Sequence, residues 1–169
     1  MKHLWAPWRL AYIKRAGPID EACIFCTLPP KGRDREHLIL HQGPLTFAML
    51  NAFPYNSGHL MVVPRRHLAD PAGLTDAEAL ELHHLTAAAM QALRETYHPE
   101  GFNIGLNVGR AAGAGILGHL HVHVVPRWVG DTNYMPVLGE VKVLPEDLTE
   151  TYDRLAAALR SVVEHQPRT

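Results

Sequence analysis

One ten-residue run constrains this chain more than any other: Gly118-His-Leu-His-Val-His-Val-Val-Pro-Arg127. Histidine alternates with branched apolar residues through it, and a β-strand turns successive side chains to opposite faces. His119, His121 and His123 therefore share one face, while Leu120, Val122 and Val124 share the other and are free to enter a core. The alternation predicts a strand from His119 to Val125, with imidazoles about 6–7 Å apart per two-residue step. Such a row admits three readings. One imidazole can attack phosphorus through its neutral nitrogen, with neighbours that fix its tautomer or supply a proton. Three histidines on one strand can instead hold a metal. With 12 histidines in the chain, chance placement is the third.

The flanking segments supply a frame for that strand. LTFAML (45–50) and HLMVVP (59–64) are apolar runs separated by a turn containing Pro54, Asn56, Ser57 and Gly58, which predicts a hairpin. Thr75-Asp-Ala-Glu78 is a capping box, so a helix is expected from there to about Tyr97, with Leu82, Leu85, Ala89 and Leu93 on one face. Phe102, Ile104, Leu106 and Val108 alternate with small or polar residues as in a strand, and residues 109–118, GRAAGAGILG, join it to the histidine run. A last helix is expected over 145–163, with Leu148, Tyr152, Leu155, Leu159 and Val162 on its stripe. Residues 1–44 are rich in Trp, Pro and Gly and read as irregular, leaving 45–140 as the core. The order β-β-α-β-β-α predicts an α+β fold with a mostly antiparallel sheet. Without a repeat or linker, residues 1–169 are expected to form a single domain.

Composition narrows the function classes. Sixteen basic residues against seventeen acidic ones give a formal charge of -1, which lacks the basic field of a general nucleic-acid binder. Two cysteines are too few for a disulfide scaffold. The N-terminal MKHLWAPWRLAYIKR is interrupted by Pro7, Arg9 and Lys14, so it lacks the apolar stretch of a signal peptide. No run is long and apolar enough to predict a membrane span. The expectation is a cytoplasmic enzyme with reduced thiols and no organic cofactor.

Those thiols sit at Cys23-Ile-Phe-Cys26, a spacing suited to half of a tetrahedral zinc site. His67 and His119 are the candidates to complete it. A redox pair would be expected in a thioredoxin-like βαβ setting, whereas this pair has no preceding strand. The remaining reading is two small buried hydrophobes.

The motif H-L-H-V-H-V-V (119–125) resembles the signature of the histidine-triad family. Phe47 to Asn51 and Pro54 to Pro64 resemble that family's N-terminal hairpin, and Asn103 to Gly109 resembles the strand before the triad, so that the likeness spans roughly residues 20–140. Leu4 to Arg9, Pro126 to Asn133 and Lys142 to Pro145 are similar to a bacterial branch of diadenosine-polyphosphate phosphorylases or hydrolases. The resemblance implies a homodimer with a five-stranded sheet and two main helices in each subunit, and cleavage through a nucleotidyl-histidine intermediate. It implies His121 as the nucleophile at the α-phosphate, His123 on the phosphate oxygens and leaving group, and His119 as an orienting group. It further implies Asn51 on the ribose hydroxyls, His59 at the edge of the active site and Asn107 on phosphate.

One position departs from the family pattern. Many members carry Ser or Thr three residues before the first triad histidine, where this chain has Ile116. Either backbone N–H groups from Gly115 to Gly118 replace the hydroxyl as an anion-binding nest, or leaving-group handling differs. Trp5, Trp8 and Trp128 are candidates to stack on a base. The leading function is cleavage of a dinucleoside polyphosphate. An adenosine phosphoramidate hydrolase, a nucleotide-binding signalling module and a metalloenzyme with metal on all three triad histidines are the alternatives.

Overall fold

A computed structural model describes residues 23–131 and 146–165. Cys23 opens one helical turn, α1 (Ile24–Thr27). Strands β1 (Ile39–Gln42), β2 (Thr46–Leu50) and β3 (Leu60–Pro64) follow, then helix α2 (Asp76–Tyr97), strands β4 (Gly101–Leu106) and β5 (Val122–Arg127), and helix α3 (Leu148–His165). The five strands form one sheet in the order β1-β2-β3-β5-β4, and every pairing is antiparallel. The α+β class and the strand hairpin agree with the sequence. Strand β1 is the addition: it lies within the stretch read as irregular. It has only four residues, and its register slips between Ile39 and His41, so too little alternation remains to mark it.

Both faces of the central strands are covered, which explains why TFAML and LMVVP are apolar throughout. On one face Ala48, Leu50, Leu60, Val62, Val122 and Val124 pack against Leu82, Leu85, Ala89 and Leu93 of α2 and Leu155 and Leu159 of α3. On the other, Phe47, Met49, Met61 and Val63 surround Phe25 of α1. The register pairs Met61 with His123 and Val62 with Val122, so His123 lies on the Phe25 side while Val122 enters the helical core. At the hairpin turn, Gly58 has φ +77°, and a Cβ there would lie 2.8 Å from Leu93 Cδ2. Its missing side chain lets the turn close onto α2.

Helix α2 starts where the capping box places it. Glu78 N donates to Thr75 Oγ1, and Thr75 N donates back to Glu78 Oε2 at 2.8 Å. Arg66 grips the same carboxylate with Nε at 2.9 Å and Nη2 at 2.6 Å, joining the helix start to the segment after β3. These bonds, the Arg66 pair foremost, hold the Glu78 carboxyl down at about 2, against an ordinary 4.5. A carboxylate with a depressed folded pKa contributes stability above its ordinary pKa and loses it as pH falls toward the folded value. Glu78→Gln should therefore lower the melting temperature at pH 7. The gap from wild type should close as pH falls from about 5 to about 2. A gap unchanged over that window in thermal melts would show that the carboxylate's charge is not what stabilises the helix start.

Candidate active site and metal-ligand cluster

The sheet brings the histidine run against the Phe25 face. Strand β5 begins at Val122, three residues later than the alternation suggests. Leu120 N donates to Leu68 O at 2.6 Å, so this part of the run is tied to the segment after β3 rather than to the ladder. The chain bends at His119, yet the three imidazoles still gather: His119 and His121 both meet Phe25, and His121 meets His123, while Leu120 is buried and Val122 and Val124 enter the helical core.

His119 and His121 are 1% and 5% exposed, whereas His123 is half-buried. Nδ1 of His121 lies 2.8 Å from the carbonyl oxygen of His119. A carbonyl only accepts, so Nδ1 carries the proton and Nε2 carries the lone pair in the neutral ring. Burial pushes the His121 pKa below its ordinary value, which keeps the ring neutral near pH 7. The product is an unprotonated, directed Nε2 on a rigid element.

A second chain of hydrogen bonds sets the protons on His123. Tyr55 N donates to His59 Nδ1 at 3.0 Å, so His59 holds its proton on Nε2. His59 Nε2 lies 3.0 Å from His123 Nδ1, which then accepts. Neutral His123 is left with its proton on Nε2, 3.4 Å from Nδ2 of Asn107, so donor faces donor as the amide stands. This tautomer requires the Asn107 amide to be turned over, its oxygen and nitrogen exchanging places, so that Oδ1 accepts from His123 Nε2. Tyr55 stacks on His59 with centroids 4.7 Å apart. Sequence reasoning missed Tyr55, whose position one residue after Pro54 in the hairpin turn was its only signal.

Asn51 sits at the mouth of the hairpin, where its Oδ1 accepts from Phe53 N at 2.9 Å. Gly118 lies against His67, and a Cβ would come within 3.2 Å of its Nε2. Its small size therefore serves the packing of His67. Ile116, at the position where a hydroxyl was expected, packs on the Phe25 cluster. Gly115 lies in the same half-buried loop. Trp128 follows β5 and is half-buried. Trp5 and Trp8, the Leu4 to Arg9 motif, Thr132 and Asn133, and Lys142 to Pro145 lie outside the described residues.

Behind the triad, Cys23, Cys26, His67 and His119 come together, their ligand atoms all within 4.8 Å of one another. Nδ1 of His119 is 3.3 Å from Cys23 Sγ and 3.5 Å from Cys26 Sγ, and His67 Nδ1 is 3.3 Å from Cys26 Sγ. A tetrahedral ion with metal–sulfur and metal–nitrogen bonds of ~2.3 and ~2.1 Å separates S and N ligands by about 3.5 Å. The observed spacings fit. His119 Nε2 is 2.7 Å from the Pro64 carbonyl, so it donates there and turns a bare Nδ1 toward the sulfurs. Burial and the neighbouring Cys23 push the Cys26 thiol up, a charge cost that a bound cation offsets. The same arrangement separates the two histidine roles: His119 faces the cysteines and His121 does not, which disfavours one metal on all three triad rings.

These assignments have a direct spectroscopic consequence. Long-range proton–nitrogen correlation at pH 7 should show His121 neutral with its proton on Nδ1, and His59 and His123 with theirs on Nε2. An Nε2 proton on neutral His121 would remove the derived nucleophile.

The HIT domain family model matches residues 33–129. An AP-4-A phosphorylase from Mycobacterium tuberculosis is 41% identical over 163 residues, 92% of this chain and 83% of that protein. An adenosine 5'-monophosphoramidase from Schizosaccharomyces pombe is 30% identical over 135 residues, 76% of this chain and 96% of that one. The crystal structure of a Zn-bound histidine triad family protein from Mycobacterium smegmatis superposes with a TM-score of 0.69 at 26% identity, covering 86% of this chain and 98% of that one.

Proposed function

The chain belongs to the HIT domain family, and we propose that it cleaves dinucleoside polyphosphates, diadenosine tetraphosphate foremost, through a nucleotide carried on His121. The observation that carries this reading is the His121 Nδ1 to His119 carbonyl bond at 2.8 Å on a buried, neutral ring. It leaves Nε2 as an aimed lone pair, which is what attack on phosphorus needs. The mycobacterial AP-4-A phosphorylase supports the substrate class.

In the first step, His121 Nε2 bonds to the α-phosphorus and the bridging P–O bond breaks, releasing adenosine triphosphate. His123 lies beside His121 with ring centroids 4.8 Å apart, and its Nε2 proton is available to the leaving oxygen. The His59 and Tyr55 chain keeps that proton in place. In the second step, inorganic phosphate attacks the adenylyl group, the P–N bond breaks and adenosine diphosphate leaves. Water in place of phosphate would release the monophosphate. Asn51 can meet a ribose hydroxyl, since an amide oxygen has a second lone pair and the amide nitrogen two protons. Asn107 and the N–H groups around Gly115 to Gly118 contact the phosphates in this reading, a local anion site that needs no net basic charge.

Zinc is the ion we assign to Cys23, Cys26, His67 and His119. Two thiols and two imidazoles at tetrahedral spacing suit it, and a closed four-ligand site has a structural role. We infer a cytoplasmic location, since Cys23 and Cys26 can serve as metal ligands only where thiols stay reduced. A second copy of the chain is the partner: β4 lies at the sheet edge with Ile104, Leu106 and, just beyond it, Val108 exposed by 46%, 38% and 45%. No helix among the described residues is long and apolar enough to cross a membrane.

Product analysis tests the reaction. With diadenosine tetraphosphate and inorganic phosphate, the diphosphate and triphosphate should form in equal amounts, and His121→Ala should lower turnover by about 10⁴-fold or more. A variant keeping more than a few per cent of wild-type activity rules out His121 as nucleophile. Rapid cleavage of an adenosine phosphoramidate with no cleavage of any adenine dinucleotide would shift the substrate to the monophosphoramidase class. Purified protein should carry about one zinc per subunit, and Cys23→Ser should lose it together with thermal stability. Metal-free protein whose melting does not respond to added zinc would contradict the assignment.

A further inference from the structure

Among the described residues, His121 makes one hydrogen bond, from Nδ1 to the His119 carbonyl. A single hydrogen bond fixes the direction of Nδ1 but lets the ring rock about that axis. Aromatic rings restrain it from two sides. His123 lies edge-on at 4.8 Å and 77°, and Phe25 lies at 5.2 Å and 51°. Phe25 also meets His119 at 5.3 Å and 77° and Phe47 at 6.3 Å and 62°, and it is only 1% exposed. Its ring thus touches the candidate nucleophile and a candidate metal ligand at once.

The place of Phe25 in the chain gives this contact a second consequence. It sits between Cys23 and Cys26 in α1, a single turn held by Cys26 N and Thr27 N donating to the Cys23 carbonyl at 3.0 Å. A four-residue helix has no stability of its own. Its position depends on what anchors it: the two thiols on one side and the burial of Phe25 on the other. Ile116 packs on the same cluster, so the position where relatives carry a hydroxyl here supports the Phe25 contact.

We propose that Phe25 is a positioning residue for His121, and that it transmits the docking of the Cys23–Cys26 turn to the orientation of the nucleophile. The inference rests on the assignments of His121 as nucleophile and of the Cys/His cluster as a zinc site. Metal loading then affects catalysis through packing, although the ion never meets the substrate. The contact acts on the attack geometry and leaves the nucleotide-binding groups alone.

The test uses the full-length protein and diadenosine tetraphosphate with phosphate. Phe25→Leu keeps the site apolar and folded, and should retain one zinc per subunit. It should lower kcat about ten-fold with KM within about two-fold, since a small misplacement of a reacting group costs rate rather than binding. Cys23→Ser should lower kcat as well, measured below its melting temperature. The double variant should lose less than the product of the two single losses, because both act through one contact. A wild-type kcat for zinc-loaded Phe25→Leu overturns the proposal, as does a KM effect alone or strictly multiplicative losses. Should Cys23→Ser not fold, the kcat of Phe25→Leu decides by itself. His121→Ala, run alongside, separates the two ideas: if it remains active the nucleophile assignment fails, whereas an inactive His121→Ala with an unaffected Phe25→Leu removes only the positioning role.

Discussion

His119 is the residue on which the rest of the site depends, because three of its groups are committed in three directions. Nε2 donates to the carbonyl of Pro64 at the end of β3, Nδ1 faces the two cysteine sulfurs, and the backbone carbonyl accepts from His121. The ring is 1% exposed, and burial depresses its pKa, so it stays neutral and can be a ligand. Moving His119 would misplace the candidate metal cluster and the candidate nucleophile together. A buried imidazole with both nitrogens engaged is costly to rearrange, which makes it a fixed reference for the two functions.

The sheet supplies the rigidity this arrangement needs. β3 and β5 are interior strands with apolar residues on the helical face, so the histidine side is backed by a packed layer. Two relays of opposite sense meet on that platform. One ends with a lone pair on His121 Nε2, while the other starts at the Tyr55 amide and ends with a proton on His123 Nε2. A donor and an acceptor on neighbouring imidazoles are what a displacement at phosphorus uses, one to attack and one to protonate the leaving oxygen.

Much of this was legible in the sequence, for reasons that can be named. The histidine run has period two, and within β5 the faces separate as expected, with Val122 and Val124 in the helical core and His123 on the other side, whereas His119 and His121 precede the strand, with a bend at His119. Thr75 and Glu78 form a local signal and mark the helix start to the residue. The Cys-x-x-Cys spacing, with His67 and His119, identified the cluster now seen. β1 escaped because four residues with a register slip leave no periodicity to read. The Phe25 contact escaped for a different reason: its partner His121 lies 96 positions away, and an aromatic between two cysteines carries no signal of what it will face. The tautomers were hidden too, since they depend on the Tyr55 amide and the His119 carbonyl, backbone groups that residue identity does not reveal.

The central claim is that the aimed Nε2 of His121 forms a covalent bond to phosphorus. Rapid quenching of the wild-type protein with diadenosine tetraphosphate in phosphate-free buffer, followed by peptide mass mapping at neutral to basic pH, reads that bond directly. The account predicts an acid-labile adenylyl group on His121. An adduct on His119, His123 or a cysteine, or turnover with no adduct on any residue, would contradict it.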